Sequence, residues 1–188
     1  LKMKNDIIKF NNLILVIIFI LLYLSLIIGF YLNEDSTGGA FLDYRGQKVV
    51  SKAFAINFKD TFLNYDNFAT RHSPVLIVFL SFFEKISLSD NIIRIIHLHI
   101  ILVLPFIFYL ILIEKFKYIE KKYLLLIVGL VFLSPTFRSL SIWPDSRLLG
   151  LSIFSLSILS YLFFLRSNQL KYCFFNIIFC AFSAYISP

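Results

Sequence analysis

An uninterrupted apolar run near the start of the chain is the sequence feature that most constrains its fold. Residues 13–32 carry no charged side chain over twenty positions, which is the length of helix that crosses about 30 Å of hydrocarbon. The run is longer than the roughly 7–15 residues of a signal-peptide core, and no A-x-A-like cleavage site follows it. It therefore predicts an uncleaved transmembrane anchor.

Composition extends this prediction to the whole chain. Apolar residues make up 59% of the 188 residues and charged residues only 15%, whereas ordinary soluble domains have about 45–50% and about 25%. This balance excludes a water-soluble globule, a disordered tail and a collagen-like fibre. The net charge of +7 does not indicate a nucleic-acid partner, because Lys and Arg in a membrane protein report orientation. By length, residues 1–188 form one domain.

Further apolar segments predict an all-α, polytopic transmembrane helical bundle of about five spans. The spans are expected at residues 13–32, 92–113 with a kink at Pro105, 123–143, 148–165 and 172–188. Residues 74–86 are too few to cross a bilayer and predict a short re-entrant or juxtamembrane segment. Both chain ends are unusual, since Met is the third residue and Ser187-Pro188 directly follow an apolar run. They predict a truncated gene product with further spans missing.

The one long polar stretch, residues 33–73, predicts a loop with an amphipathic helix. Its apolar residues recur at steps of three and four, at Val50, Phe54, Phe58, Phe62 and Tyr65. These steps place them on one helix face, as in a helix that lies on a bilayer surface. The alternative is a loop helix that packs on a small domain of its own.

The placement of basic residues predicts the orientation. They cluster in short segments at residues 2–9, 114–122 and 166–171. If residues 74–86 are re-entrant, all three segments fall on one side, which the positive-inside rule makes cytoplasmic. The N-terminus is then cytoplasmic, and residues 33–73 and 134–147 share the extracytoplasmic side.

Two polar clusters on that side carry the residues that can do chemistry. Glu34 and Asp35 directly follow the first span, where neighbouring carboxylates repel each other and one pKa rises, as suits a general base or a metal ligand. The second cluster lies between two apolar segments, at Arg138, Trp143, Asp145 and Arg147. Guanidinium groups donate paired hydrogen bonds to phosphate. Solvated helix ends and interfacial snorkelling are the alternatives.

The stretches 33–35, 71–74 and 134–147 together resemble the N-terminal part of the GT-C membrane glycosyltransferases. The most similar are users of polyprenyl-phosphate sugars related to protein O-mannosyltransferases and lipopolysaccharide sugar transferases. The resemblance implies inverting sugar transfer from a polyprenyl-phosphate donor to a cell-envelope glycan, lipid or protein. It also implies an integral protein of the bacterial inner membrane with an extracytoplasmic active face. The chain departs from the family in lacking its further spans and its C-terminal soluble domain.

On this resemblance Asp35, or else Glu34, takes the proton of the acceptor hydroxyl. Asp43 stays open as the base, because the tyrosine of the family's acidic motif falls here at Tyr44. The implied phosphate- and substrate-binding residues are Asp43, Arg71, His72, Arg138, Asp145 and Arg147. Whether the carboxylates also hold a divalent metal ion stays open, and no other cofactor is expected.

Two other functional classes stay open. A transporter or lipid flippase predicts polar residues near the midplane of several spans, whereas the spans here are nearly free of charge. A non-catalytic membrane scaffold predicts that Asp35, Arg138 and Arg147 can be lost without effect.

Overall fold

The computed structural model describes residues 2–68, 70 and 73–187, and within these ranges the chain is helical without a strand. The elements are α1 (Lys2–Tyr31), α2 (Ala40–Ile56), α3 (Phe58–Leu63), a 3-10 turn (Tyr65–Phe68), α4 (Pro74–Lys85), α5 (Asp90–Ile101), α6 (Val103–Lys115), α7 (Lys121–Gly129), a second 3-10 turn (Leu130–Leu133), α8 (Pro135–Ile142), α9 (Ser146–Ser167) and α10 (Leu170–Ile186). The predicted all-α class is confirmed.

Several helices are long and apolar enough to cross a membrane, as an integral membrane protein requires. Three segments of the described chain qualify, at Leu13–Tyr31, Asp90–Lys115 and Ser146–Ser167. The pair Lys121–Leu133 and Pro135–Ile142 qualifies as a fourth, bent by 65° between its halves. The predicted fifth span falls on α10, which has 17 residues, and stays a prediction. The predicted short segment is α4, whose 12 residues are too few to span.

Prolines set the positions of the breaks. Pro105 has no N–H to donate within a helix, and the helix is interrupted at Leu102, between α5 and α6. Ser134 has the extended backbone that a residue before proline prefers. Its side chain accepts a hydrogen bond from the Phe137 N–H at 3.3 Å, and Pro135 occupies the first turn of α8. The bend between α7 and α8 thus follows from local sequence.

The main core joins α1, α2, α4, α5 and α8. Its buried side chains include Leu26, Leu76, Ile93, Leu98, Ile101, Leu140 and Ile142. The outer faces of the helices are also apolar, as Leu21, Phe106 and Leu133 illustrate. Apolar residues on both the inner and the outer faces are typical of helices surrounded by lipid.

The predicted apolar stripe of the first loop is divided between two helices. Val50 and Phe54 on α2 pack against α4 and are buried, whereas Phe58 and Phe62 on α3 are 53% and 56% exposed. The division falls at Asn57, which ends α2 and whose side chain caps α3. One part of the stripe therefore belongs to the bundle, and a position on a bilayer surface stays a prediction for the other part.

Gln47 is a buried side chain of α2 without a hydrogen-bond partner among the described residues. It is 2% exposed, and an unsatisfied buried polar group costs about 1–3 kcal/mol. We expect Gln47→Leu to raise the free energy of unfolding by about 1 kcal/mol, because leucine has a similar size and no polar atom to satisfy. Thermal unfolding in a single detergent measures this. Gln169→Leu, at an exposed position, is the matched control, and a lower unfolding temperature for Gln47→Leu than for this control would contradict the prediction.

Candidate functional site

The turn after α1 directs the first carboxylate back toward the bundle. Asn33 has a φ of 55°, a left-handed conformation that Asn tolerates better than most residues. The Glu34 N–H then bonds the Gly29 carbonyl at 2.9 Å, which reverses the chain as at many helix C-termini. A Cβ at Gly29 would collide with the Glu34 carboxylate and the Arg138 guanidinium. Glycine therefore leaves room for these two groups to meet, and a larger residue would force them to shift.

Glu34 and Arg138 form a closed ion pair between the end of α1 and α8. Arg138 Nε and Nη2 donate to the two carboxylate oxygens at 2.7 and 2.6 Å. Its other donors reach the Ser25 hydroxyl at 3.2 Å, the Ser25 carbonyl at 3.0 Å and the Phe132 carbonyl at 3.5 Å. All five N–H groups of the guanidinium thus have an acceptor. Glu34 accepts a third hydrogen bond from the Ser36 hydroxyl at 2.7 Å.

The ion pair makes the stability of the protein depend on pH. The hydrogen bond from Arg138 lowers the pKa of Glu34 below its ordinary value of 4.5, against the opposing effect of burial. A carboxyl whose pKa is lower in the folded than in the unfolded protein stabilises the fold at pH values above its unfolded pKa. This stabilisation is lost as the pH falls through its folded pKa. We therefore expect the unfolding temperature to fall below about pH 4.5 and to fall less in Glu34→Gln. Glu120→Gln, at an exposed position, is the control and should behave like the parent protein.

Asp35 lies beside Glu34 but has different partners. Its carboxylate accepts hydrogen bonds from the N–H groups of Ala40 and Phe41, at 3.1 and 3.2 Å, and from the Thr37 hydroxyl at 3.3 Å. An anion at this place is favourable because the first N–H groups of a helix lack partners within the helix. The acidic pair is thus divided, with Glu34 directed to α8 and Asp35 to the start of α2.

A second ion-pair cluster joins α2 to the start of α9. Trp143 precedes a proline and ends α8 in an extended conformation. Asp145 is fully buried and caps α9 by accepting the Arg147 N–H at 2.7 Å. The Arg147 guanidinium donates to Asp145 at 2.8 Å from both Nε and Nη2, and to Asp43 at 2.7 Å from Nη2. The Nη1 atom of Arg147 has no acceptor among the described residues. Arg147 and Asp43 are 51% and 41% exposed, so this cluster is open.

Trp143 connects the two clusters. Its indole N–H donates to the Glu34 carbonyl at 3.1 Å. Its ring centroid lies 4.7 Å from that of Phe41 and 6.0 Å from that of Tyr44, both on α2. On the same ring lies the guanidinium of Arg94, with its carbon 3.6 Å from the centroid. Contact at this distance is a cation–π interaction.

Arg94 is the principal residue that sequence reasoning missed. It lies on α5 and is 4% exposed, yet no carboxylate within the described chain lies at ion-pair distance from it. It donates to the Asn33 side chain at 2.8 Å, to the Ile142 carbonyl at 3.2 Å and to the Phe30 carbonyl at 3.5 Å. A lone arginine in the apolar segment 92–113 was the available signal, because charges within such segments mark functional sites.

A cavity of about 450 Å³ opens between α2, α5 and Trp143. Its walls are Phe41, Tyr44, Arg45, Lys48, Val49, Lys52, Asp90, Asn91, Arg94 and Trp143. Lys48 forms an ion pair with Asp90, and its Nζ also lies 3.8 Å from Oε1 of Glu84. Burial, and then the negative charge of Asp90, raise the pKa of Tyr44, so this hydroxyl keeps its proton. We call this space the α2–α5 cavity.

Six of the eight predicted site residues lie at this one end of the bundle. They are Glu34, Asp35, Asp43, Arg138, Asp145 and Arg147. The other two, Arg71 and His72, lie outside the described residues. No group of three or more His, Cys, Asp or Glu side chains able to hold a metal ion occurs in the described part of the chain.

Comparisons of the chain with protein-family models, with curated proteins and with solved structures find no match. The chemistry of these residues and the cavity beside them are therefore what indicate a function.

Proposed function

We propose that the protein is a membrane glycosyltransferase of the GT-C type, which moves a sugar from a polyprenyl-phosphate donor to an extracytoplasmic glycan, lipid or protein with inversion. The observation that carries the proposal is one juxtaposition. Carboxylates from the first loop meet arginines from α8 and α9, beside a cationic and aromatic cavity, at one end of a bundle of membrane-type helices. An apolar bundle suits a lipid-linked donor, and the polar end suits its phosphate and sugar.

The two ion-pair clusters suggest different roles. All five donors of Arg138 are occupied and Glu34 accepts three hydrogen bonds, so this pair is suited to holding α1 against α8. Asp43 has Arg147 as its only partner among the described residues, and both are about half exposed. A carboxylate that reacts has to be reachable, which favours Asp43 over Glu34 as the base. Asp35 accepts three hydrogen bonds as Glu34 does, and it stays a candidate through the resemblance.

The proposed chemistry needs one base and one cation. The carboxylate of Asp35 or Asp43 takes the proton of the acceptor hydroxyl as its oxygen attacks the anomeric carbon. The bond from that carbon to the phosphate oxygen breaks with inversion, and the phosphate leaves with the electron pair. Because phosphate is a stable anion, it needs cationic stabilisation more than a proton, and the open Nη1 of Arg147 is placed to donate to it.

The proposal includes the topology and location expected from the sequence. Five spans, with α10 as the last, leave the N-terminus in the cytoplasm and the polar end outside. In bacteria this is the outer face of the inner membrane, where the loop of α2 and α3 covers the polar end. A divalent metal ion is not required by this chemistry.

The transfer reaction tests the proposal. Membranes that contain the protein are incubated with radiolabelled polyprenyl-phosphate sugars, and label in the acceptor is counted for the parent protein, Asp35→Asn and Asp43→Asn. We expect the variant that lacks the base to lose about 100-fold or more in rate, as the loss of a general base commonly does. Asp66→Asn, on the same loop and exposed, is the matched control. Transfer at the parent rate in both variants would remove these carboxylates as the base, and no transfer from any donor would favour a transporter or a scaffold.

A further inference from the structure

We propose that the α2–α5 cavity is a binding site for a phosphate-bearing ligand, with Arg94 as its buried anchor. This site is separate from the ion pairs Glu34–Arg138 and Asp43–Arg147. It goes beyond the proposed function, on which it rests for the nature of the ligand, because it names a second place where the phosphate of a polyprenyl-phosphate lipid binds. Binding is nevertheless measurable without any sugar transfer.

The walls of the cavity carry a surplus of positive charge. The cations are Arg45, Lys48, Lys52 and Arg94, and Asp90 is the acidic wall residue. Lys48 is neutralised by its ion pair with Asp90. The other three cations have no ion pair within the described chain. Cations that line one cleft with low-dielectric walls concentrate anions in it.

Arg94 is the strongest sign of a missing anion. A buried charge without a counter-charge is costly, and the acceptors of Arg94 are a neutral amide and two backbone carbonyls. These account for three of its five N–H groups, so two remain without an acceptor in the described chain. The guanidinium is fixed by Trp143 and by the ring of Phe30, whose centroid is 4.7 Å away. A fixed guanidinium with unused donors matches the geometry of phosphate.

The first turn of α5 adds to this field. Asp90 and Asn91, its first two residues, line the cavity, and the N-cap Ser89 makes no side-chain hydrogen bond to the helix. A helix N-terminus carries a partial positive charge and free N–H groups, which favour a phosphate. The volume of about 450 Å³ lies within the range of small-molecule sites. Phe41, Tyr44 and Trp143 give the ligand an apolar wall.

The chain contains one tryptophan, and Trp143 lines the cavity, so its fluorescence reports occupancy directly. The full chain in phosphatidylcholine nanodiscs is titrated with undecaprenyl phosphate, with undecaprenol and with inorganic phosphate. We expect a saturable change with undecaprenyl phosphate and none with undecaprenol. The double variant Arg45→Gln/Lys52→Gln, at exposed positions that leave Arg94 in place, should weaken binding by about tenfold or more, which equals about 1.4 kcal/mol.

The matched control is Lys59→Gln, which removes an exposed cation of the same loop outside the cavity. A response to inorganic phosphate alone or to both phosphates supports the site and identifies a free anion as sufficient. A response to the lipid phosphate alone supports it as a headgroup site. An equal response to undecaprenol, no response to any probe, or equal affinity in the double variant and the Lys59→Gln control would overturn it. Binding without transfer would contradict the proposed function alone, and transfer without binding here would contradict this inference alone.

Discussion

Replacing Arg138 with glutamine is expected to lower the free energy of unfolding by about 3 kcal/mol, the lower end of the range for a buried ion pair, because this pair is only partly buried. The substitution leaves the Glu34 carboxylate, whose side chain is 24% exposed, without its counter-charge. It also removes the donors that satisfy the Ser25 and Phe132 carbonyls. Reversible unfolding of the purified protein in mixed micelles measures the loss.

A double-mutant cycle separates the pair from its surroundings. Glu34→Gln, Arg138→Gln and the double variant are compared, and we expect the double variant to be less destabilised than the sum of the single variants, because no unpaired charge remains. Arg166→Gln is the matched control, since Arg166 is 63% exposed and pairs with Glu114 at 3.2 Å. Glu114 is 12% exposed but keeps Lys117 as a second partner at 3.4 Å, so we expect the loss of Arg166 to lower the free energy of unfolding by about 1 kcal/mol or less. Strict additivity in the cycle would show that the two residues do not act as a pair.

Replacing Asp145 with alanine is expected to lower the free energy of unfolding by about 3 kcal/mol, because a helix cap and an ion pair are both lost. Asp145 caps α9 and is fully buried, and the loss of a cap of this kind costs about 0.5–2 kcal/mol. It also accepts two hydrogen bonds from the Arg147 guanidinium, which are charge-assisted and stronger than neutral ones.

Asp145→Asn distinguishes the two losses. Asparagine is as good an N-cap as aspartate, so this variant keeps the cap and loses the charge, and we expect it to retain part of the stability that alanine loses. Asn57→Ala, at the cap of the six-residue helix α3, is the control and should cost about 1 kcal/mol. Equal unfolding temperatures for Asp145→Asn and Asp145→Ala would show that the cap contributes nothing. An Asp145→Ala variant as stable as the parent protein would contradict both contributions.

These predictions assign stability and chemistry to different groups at one end of the bundle. The Glu34–Arg138 pair is closed, and its loss should appear first as lost stability. The Asp43–Arg147 pair is open, and Asp43 has no capping role, so its loss should appear as lost activity while the protein still folds. Measuring both quantities for each variant separates a damaged fold from a damaged site.

Local sequence determined the helices and most of their limits. The apolar run at residues 13–32 predicted the first span, and the segment 92–113 predicted a span kinked near Pro105. Run length and proline restrictions act over a few residues, so such features can be read from the sequence directly. The sequence did not show that the apolar stripe from Val50 to Tyr65 is divided between two helices, because Asn57 can either continue a helix or cap the next one.

Tertiary structure alone decided which charges are paired and which are not. Glu34 and Asp35 are neighbours in sequence, yet one is held by Arg138 on α8 and the other by the start of α2. The pairing depends on the left-handed turn at Asn33 and on how α8 packs, neither of which the spacing of charges encodes. The sequence shows Arg94 as a lone arginine in an apolar segment, but only the packed helices show that it is buried without a carboxylate at ion-pair distance. An ion pair is specified by the distance between two side chains in space, and that distance exists only after the helices have packed.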